Sequence, residues 1–182
     1  MLIIRQMRPE EKTEVIALSK TLNKFVKDFG AIWTRWDMWE KNVPFVAILD
    51  GKLVGFHGAT FLKKDYVYTM YIGVDPACGA RGIAKELTWA AIQHGQARGL
   101  TRFTAKADTR GGGFGFYTKL GMKPAARNKE EYVFDCEFGN SATMEEFQSR
   151  LADGTAYTPP SARKQKLYLK SCEECYFTES DF

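Results

Sequence analysis

Residues Val74 to Leu87 read VDPACGARGIAKEL, and five of them are glycine or alanine. They lie between a strand stopped by Pro76 and the first turn of a helix. At such an elbow successive backbone N–H groups point outward at the positive end of the helix, and small side chains leave an anion room to approach. The chemistry this suits is the holding of phosphate oxygens, a pyrophosphate above all. No Gly-Lys-Ser/Thr closes the loop as in a P-loop, and neither the Rossmann spacing nor a parallel βαβ unit surrounds it. An ordinary tight strand-to-helix connection uses the same residues, so the elbow alone leaves both readings open.

Other residues could do chemistry singly. His57, on VGFHGA, is a candidate general base, as are Asp65, Tyr68 and Tyr71 on the next strand; a lone strand histidine is more often a hydrogen-bonded structural residue. Cys78 sits just before the helix start, where the dipole favours a thiolate, yet no His or Asp neighbours it in sequence and the bland loop reading is preferred. Cys172 and Cys175 in CEEC have the spacing of half a zinc site without the other half, so no metal is expected. The run ARKQKLYLK sets Arg163, Lys164, Lys166 and Lys170 around Tyr168, a nucleic-acid or acidic-protein contact or, more simply, a solvated face.

The elements that must position these groups follow from periodicity and punctuation. LIIRQM is a short strand. Pro9, Glu10 and Glu11 open a helix in which Val15, Leu18, Leu22 and Phe25 recur at helical spacing and which ends near Gly30. Trp33, Trp36 and Met38 then pack on the body or wall an acceptor pocket. Two apolar runs joined by Asp50-Gly51 form a hairpin, and DYVYTMYIGV adds a third antiparallel strand. Residues Gly82 to Gly99 form a helix, TRFTAKA a strand, FGFYTKL a short helix after Gly111 to Gly113, and EEYVFDCEF a further strand. The result is a mixed α/β layer with helices packed on a mainly antiparallel sheet. Beyond Phe138 comes an extension over 139–182: a helix opened by the Thr143 and Glu146 capping-box spacing, a Pro- and Gly-punctuated linker and a final strand or hairpin.

The chain has 182 residues, 45% of them hydrophobic and 14% aromatic, with a net charge of +4. That size suits one core with an appendage, and the apolar content excludes extensive disorder. The positive balance favours anionic partners, a phosphorylated cofactor among them, but is too weak for a dedicated DNA-binding face. The N-terminus lacks the apolar run of a signal peptide, and no stretch is long enough to span a bilayer. A soluble, cytoplasmic protein with reduced thiols is expected.

Two motifs together resemble the GNAT superfamily of N-acetyltransferases, whose signature is a strand with Val-x-Pro followed by Gln/Arg-x-x-Gly-x-Gly/Ala. Val74 and Pro76 match the strand end, and Gly82, Ile83 and Ala84 match the second half of the loop. The first loop position, Gln or Arg in the family, is Gly79, with Arg81 as a replacement charge inside the loop. FYTKLGM, Phe116 to Met122, is similar to the family's Phe/Leu-Tyr-x-x-Leu-Gly-Phe segment, although the Asn and Ala that commonly precede it are here Arg110 and Gly113. Element order agrees from Leu2 to Phe138, about three quarters of the chain.

The resemblance implies a catalytic domain over 1–138 that binds acetyl-CoA as co-substrate, without a metal. It places the pyrophosphate on the backbone of Gly79, Ala80, Arg81, Gly82, Ile83 and Ala84, and the pantetheine arm and thioester carbonyl on backbone groups of Ile72, Gly73 and Val74. It gives Tyr117 the position of the general acid, while no motif fixes the base, for which His57 is carried as a candidate. The expected reaction is direct acetyl transfer to an amine in a ternary complex. The acceptor is a small molecule or a macromolecule, with nucleic acid not favoured, no membrane partner expected and a dimer open. Two other readings compete: an inactive module of this fold that binds a protein or nucleic acid, motivated by Gly79, and an enzyme of this fold that modifies a nucleobase.

Overall fold

The chain reverses at Asp50 and Gly51, whose φ angles are 50° and 82°. Two consecutive positive values define the two-residue hairpin turn that Asp-Gly favours, because its twist matches that of the strands it joins. A computed structural model describes residues 1–22, 43–60, 66–79, 81–108, 112–127 and 131–157. They fall into two compact units that divide between Thr101 and Arg102.

In the first unit four antiparallel strands lie in chain order: β1 (Leu2–Gln6), β2 (Val43–Leu49), β3 (Lys52–Thr60) and β4 (Tyr66–Val74). A 3₁₀ turn at Pro9–Glu11 leads into α1 (Lys12–Leu22). Glu11 secures that entry: its carboxylate takes Arg5 Nη1 at 2.8 Å and Nη2 at 2.5 Å, and also accepts from the Arg8 N–H at 2.8 Å. The expected continuation of this helix toward Gly30, the three-tryptophan segment with Trp33, Trp36 and Met38, and Asp65 all lie outside the described residues.

Opposite faces of this sheet meet different helices. Val15 and Leu22 of α1 join Val46, Leu53 and Phe56 in a cluster on which Tyr71 packs. The other face meets α2 (Ile83–Gln96), where a Cβ on Gly55 would touch the Leu87 side chain at 3.2 Å and the Phe45 ring stands edge-on to His94 at 5.7 Å. Leu87 and Ile92 are fully buried, each removing a side chain's apolar area from water, worth about 2 kcal/mol.

Neither inner ladder is regular. Between β2 and β3 the pairing slips after Ala47↔Gly55 to Ile48↔Leu53, and between β3 and β4 it slips from Gly58↔Tyr71 to Ala59↔Thr69, leaving Met70 as an extra residue on β4. An extra residue inverts the alternation of side chains beyond it. Packing shows the inversion directly: Tyr71 joins the α1 cluster, whereas Val67, also odd-numbered, lies so close to Gly95 of α2 that a Cβ there would collide with it.

The second unit holds β5 (Arg102–Asp108), α3 (Gly113–Lys119), β6 (Pro124–Arg127), β7 (Glu131–Glu137) and α4 (Met144–Asp153). Strand β7 pairs antiparallel with β5 and with β6. Sequence patterning misses β6: PAAR has little β propensity, and Pro124 is tolerated as the first residue of a short strand. Helix α4 begins as expected, with Thr143 Oγ1 accepting from the Glu146 N–H at 3.1 Å. The returning bond differs from the expected box, since Glu146 accepts from the N–H of Ala142, one residue before the cap, at 2.6 Å. After α4 the chain returns to β7 through Glu137 N–H to Ala156 O at 2.7 Å. The Tyr157 hydroxyl accepts from Lys123 N at 2.7 Å and donates to Gly121 O at 3.2 Å. The linker and final strand expected beyond this point lie outside the described residues, as do Arg110, the basic run and CEEC.

Candidate functional site

Strand β4 runs into the glycine elbow without a gap in its pairing to β3: His57↔Ile72, Phe56↔Gly73 and Gly55↔Val74 close the ladder. Gly73 lies under Leu22 and Phe56, and an added Cβ would come within 2.7 Å of both. Asp75 then turns the chain. Its N–H bonds to Val54 O at 2.8 Å, one carboxylate oxygen caps Ala77 N at 3.0 Å, and the other takes Lys52 Nζ at 3.3 Å. The Ala77 amide first, and Lys52 second, hold this carboxyl below the usual carboxylate range. An ionised Asx-type cap therefore fixes the 3₁₀ turn Pro76–Cys78.

Beyond the turn the amides divide into two sets. Cys78 N bonds to Asp75 O at 2.8 Å and Gly79 N to Pro76 O at 3.1 Å, so these two are spent on the turn itself. Gly82, in the left-handed region at φ 72°, is the residue before α2, and the helical ladder starts with Glu86 N to Gly82 O at 3.0 Å. The amides of Ile83 and Ala84 precede that ladder at the positive end of a 14-residue helix. Gly82 is there for its φ: a Cβ would have open space around it, but an L side chain at this angle is strained. Arg81 and Gly82 are exposed and Ile83 is buried, which roots the helix in the core while its leading edge stays open. These residues can seat an anion with backbone dipoles, a left-handed glycine and the exposed Arg81 cation.

Of the residues expected at the site, Ile72, Gly73 and Val74 lie at the end of β4, Gly79 at the close of the turn, and Arg81, Gly82, Ile83 and Ala84 at the start of α2, all in the first unit. Ala80 lies outside the described residues. Tyr117 belongs to the second unit, on α3, where it is 2% exposed and its ring meets Phe116 at 4.9 Å, Phe134 at 5.0 Å and Phe103 at 6.2 Å.

His57 is fully buried in the first unit. Its Nε2 lies 3.1 Å from Thr69 Oγ1 across the β3–β4 pair, and among the described residues its Nδ1 has no hydrogen-bond partner. Desolvation pulls its pKa down to about 3, so the ring is neutral at physiological pH. Cys78 is half-buried in the turn. Cys136 is buried in β7, where desolvation and then Asp135 push its thiol well above the usual range. Among the described residues no group of acidic, His and Cys side chains is arranged to hold a metal ion, and no helix is long and apolar enough to cross a membrane.

Sequence reasoning missed Asp75 with Lys52, Thr69, and the polar brace of the second unit. In that brace Arg102 donates to Asp135 at 2.5 Å and to Glu137 at 3.1 Å, with Thr104 on the other Asp135 oxygen at 3.0 Å. Asp75 carried a legible signal, an Asx cap two residues before the Ala77 amide it holds. Thr69 carried none, because its partner depends on a slip in register.

The acetyltransferase (GNAT) family profile matches residues 13–122, and the chain belongs to that family. No curated protein matches it by sequence. Among solved structures it is similar to the PaiA N-acetyltransferase of Thermoplasma acidophilum in complex with coenzyme A, at 15% identity and a TM-score of 0.61 over 74% of this chain and 98% of that one. It is also similar to an aminoglycoside 6'-N-acetyltransferase complexed with coenzyme A, at 15% identity and 0.62 over 74% and 96%. An Escherichia coli N-acetyltransferase of a ribosomal-protein alanine aligns at 16% and 0.64 over 78% and 97%. At these identities the likeness is one of fold: antiparallel strands flanked by helices, as the motifs implied.

Proposed function

We propose that the protein is an acetyl-CoA-dependent N-acetyltransferase that moves the acetyl group to an amine by direct attack in a ternary complex. The observation that carries this reading is the elbow after β4, where a left-handed Gly82 and the leading amides of α2 are framed by small residues. Acetyl-CoA brings the thioester. The chain's part begins with holding the pyrophosphate on the backbone of Arg81 to Ala84, where the Ile83 and Ala84 amides lead α2, with the Arg81 side chain adding charge, the small Gly79 leaving room and Asp75 keeping the turn in shape. Backbone groups of Ile72 to Val74 align the pantetheine arm and polarise the carbonyl, a stabilisation that needs no side chain.

As the neutral amine attacks, its nitrogen forms the new bond to the carbonyl carbon, the carbon–sulfur bond breaks, and the amine's proton passes to solvent. The thiolate takes a proton from Tyr117, assigned by its place in FYTKLGM, and the phenolate regains one from solvent before the next turnover; a phenol of reference pKa near 10 suits a thiolate leaving group. The differing acceptors named for the structural neighbours, an aminoglycoside and a ribosomal-protein alanine, support an amine acceptor without narrowing its class.

The test is a thermal-shift titration with acetyl-CoA, with ATP as control. At a hundred times the dissociation constant a specific ligand adds about 2.7 kcal/mol, several degrees in a domain of this size. A rise with acetyl-CoA and none with ATP is the expected result. No rise at millimolar acetyl-CoA overturns the reading in favour of a macromolecule-binding module. Tyr117→Phe is expected to retain the shift and lose turnover roughly a hundredfold or more, the usual contribution of general acid catalysis.

A further inference from the structure

The slip between β3 and β4 decides which way Thr69 faces. Counting down from Val74↔Gly55 in a regular ladder, Thr69 would pair with Thr60 and turn to the α1 side, along with Tyr71 and Gly73. With Met70 inserted as the extra residue, Thr69 pairs with Ala59 and Tyr68 with Thr60. Thr69 then shares a face with His57, and its Oγ1 comes within 3.1 Å of His57 Nε2. The hydrogen bond between these two buried groups exists only in the slipped register. In the regular one His57 would lose its observed partner and remain buried, which is unfavourable for a polar ring. Val67 obeys the same logic, since its contact with Gly95 of α2 also requires the inverted alternation.

We infer that His57 and Thr69 form a register lock that fixes the bulge at Met70, and that His57 is a positioning residue for the backbone of Ile72 to Val74. The lock is a property of the free chain; its effect on acetyl-CoA rests on the function proposed above. His57 directly faces Ile72 across the ladder, so the lock bears on the first of the three residues that lead into the elbow. A neutral imidazole serves this role well, because an ionised ring in the same place would carry an uncompensated buried charge.

The experiment uses the full chain and the variants Thr69→Val, Thr69→Ser and His57→Gln. Amide hydrogen exchange is followed by NMR without ligand, and acetyl-CoA affinity is measured in parallel. Thr69→Val keeps shape and removes the hydroxyl, so it is expected to fold. The amides from Thr69 to Ile72 should then exchange roughly tenfold faster, the scale of one buried hydrogen bond, while those of β1 and β2 stay at the wild-type rate. Thr69→Ser should restore protection, and His57→Gln should resemble Thr69→Val.

Unchanged exchange in Thr69→Val, or equal acceleration throughout the unit, overturns the lock. Should His57→Gln instead abolish an acid limb in the pH profile of turnover while leaving exchange untouched, His57 is a base and the positioning role is wrong. Local acceleration with wild-type protein that binds no acetyl-CoA supports the lock and removes the cofactor reading alone.

Discussion

The ladder between β3 and β4 and the ladder between β5 and β7 are both antiparallel, yet they are built differently. The first slips at Met70, has Gly55, Gly58 and Gly73 among its paired residues, and carries a buried neutral pair, His57 and Thr69, across its strands. The second runs from Arg102↔Glu137 to Asp108↔Glu131 without a slip, and is cross-linked by Arg102, Asp135, Glu137 and Thr104, with Lys106 3.6 Å from Glu131. Regular pairing lets opposed charges meet directly across strands, whereas a bulge re-aims side chains and backbone at the expense of such pairs. The irregular ladder is the one that feeds the glycine elbow. Irregularity here belongs to the ladder that leads into the glycine elbow, and charge bracing to the ladder that pairs without a slip.

The largest test of that contrast is Asp135→Ala. It strips the 2.5 Å partner from a guanidinium only 8% exposed, and should cost about 3 kcal/mol in denaturant unfolding, the lower end for breaking a buried pair because Glu137 remains. A loss below about 1 kcal/mol would mean that regular pairing, not charge, holds this ladder.

Next in size is Gly73→Ala, whose new methyl would press on Leu22 and Phe56 at 2.7 Å. Overpacking of this kind costs about 1–3 kcal/mol, and the shift of β4 should weaken acetyl-CoA binding as well. Retained affinity in a destabilised Gly73→Ala protein would separate the strand's packing from its service to the elbow.

The smallest effect concerns Glu11. The Arg5 hydrogen bond, ahead of the contributions from Arg8, keeps its carboxyl below the ordinary value despite desolvation. A depressed folded-state pKa gives stability that is complete above the unfolded value and disappears as pH falls through the folded one. Glu11→Gln should therefore lower the melting temperature at pH 7 by about a degree or two, and its deficit should shrink as the pH falls through and below the ordinary carboxylate range. A deficit that persists at low pH would assign Glu11 a packing role.

Much of this fold was legible because its signals are local. Asp50-Gly51 set the hairpin, Pro76 and Gly82 bracketed the elbow, and Thr143 with Glu146 marked the start of α4. What escaped depends on distant partners. Nothing in PAAR announces a strand until β7 lies beside it, and nothing in YVYTMY says which residue will be the extra one. The glycine elbow could be read because backbone chemistry is written in residue size, but the side chains that steady it, Lys52 across a turn and Thr69 across a slip, are defined by register.

The Asp50-Gly51 turn also has a kinetic consequence. Leu49 and Lys52 pair across two residues, and a hairpin of this kind closes in about 1–10 μs. Residue β5 Arg102, by contrast, finds Glu137 only after the intervening chain has been made and folded back. The pairing of β2 with β3 therefore needs only a local search, whereas β4 must find its register on β3 across a longer connection, and the position of the bulge is settled in that second search.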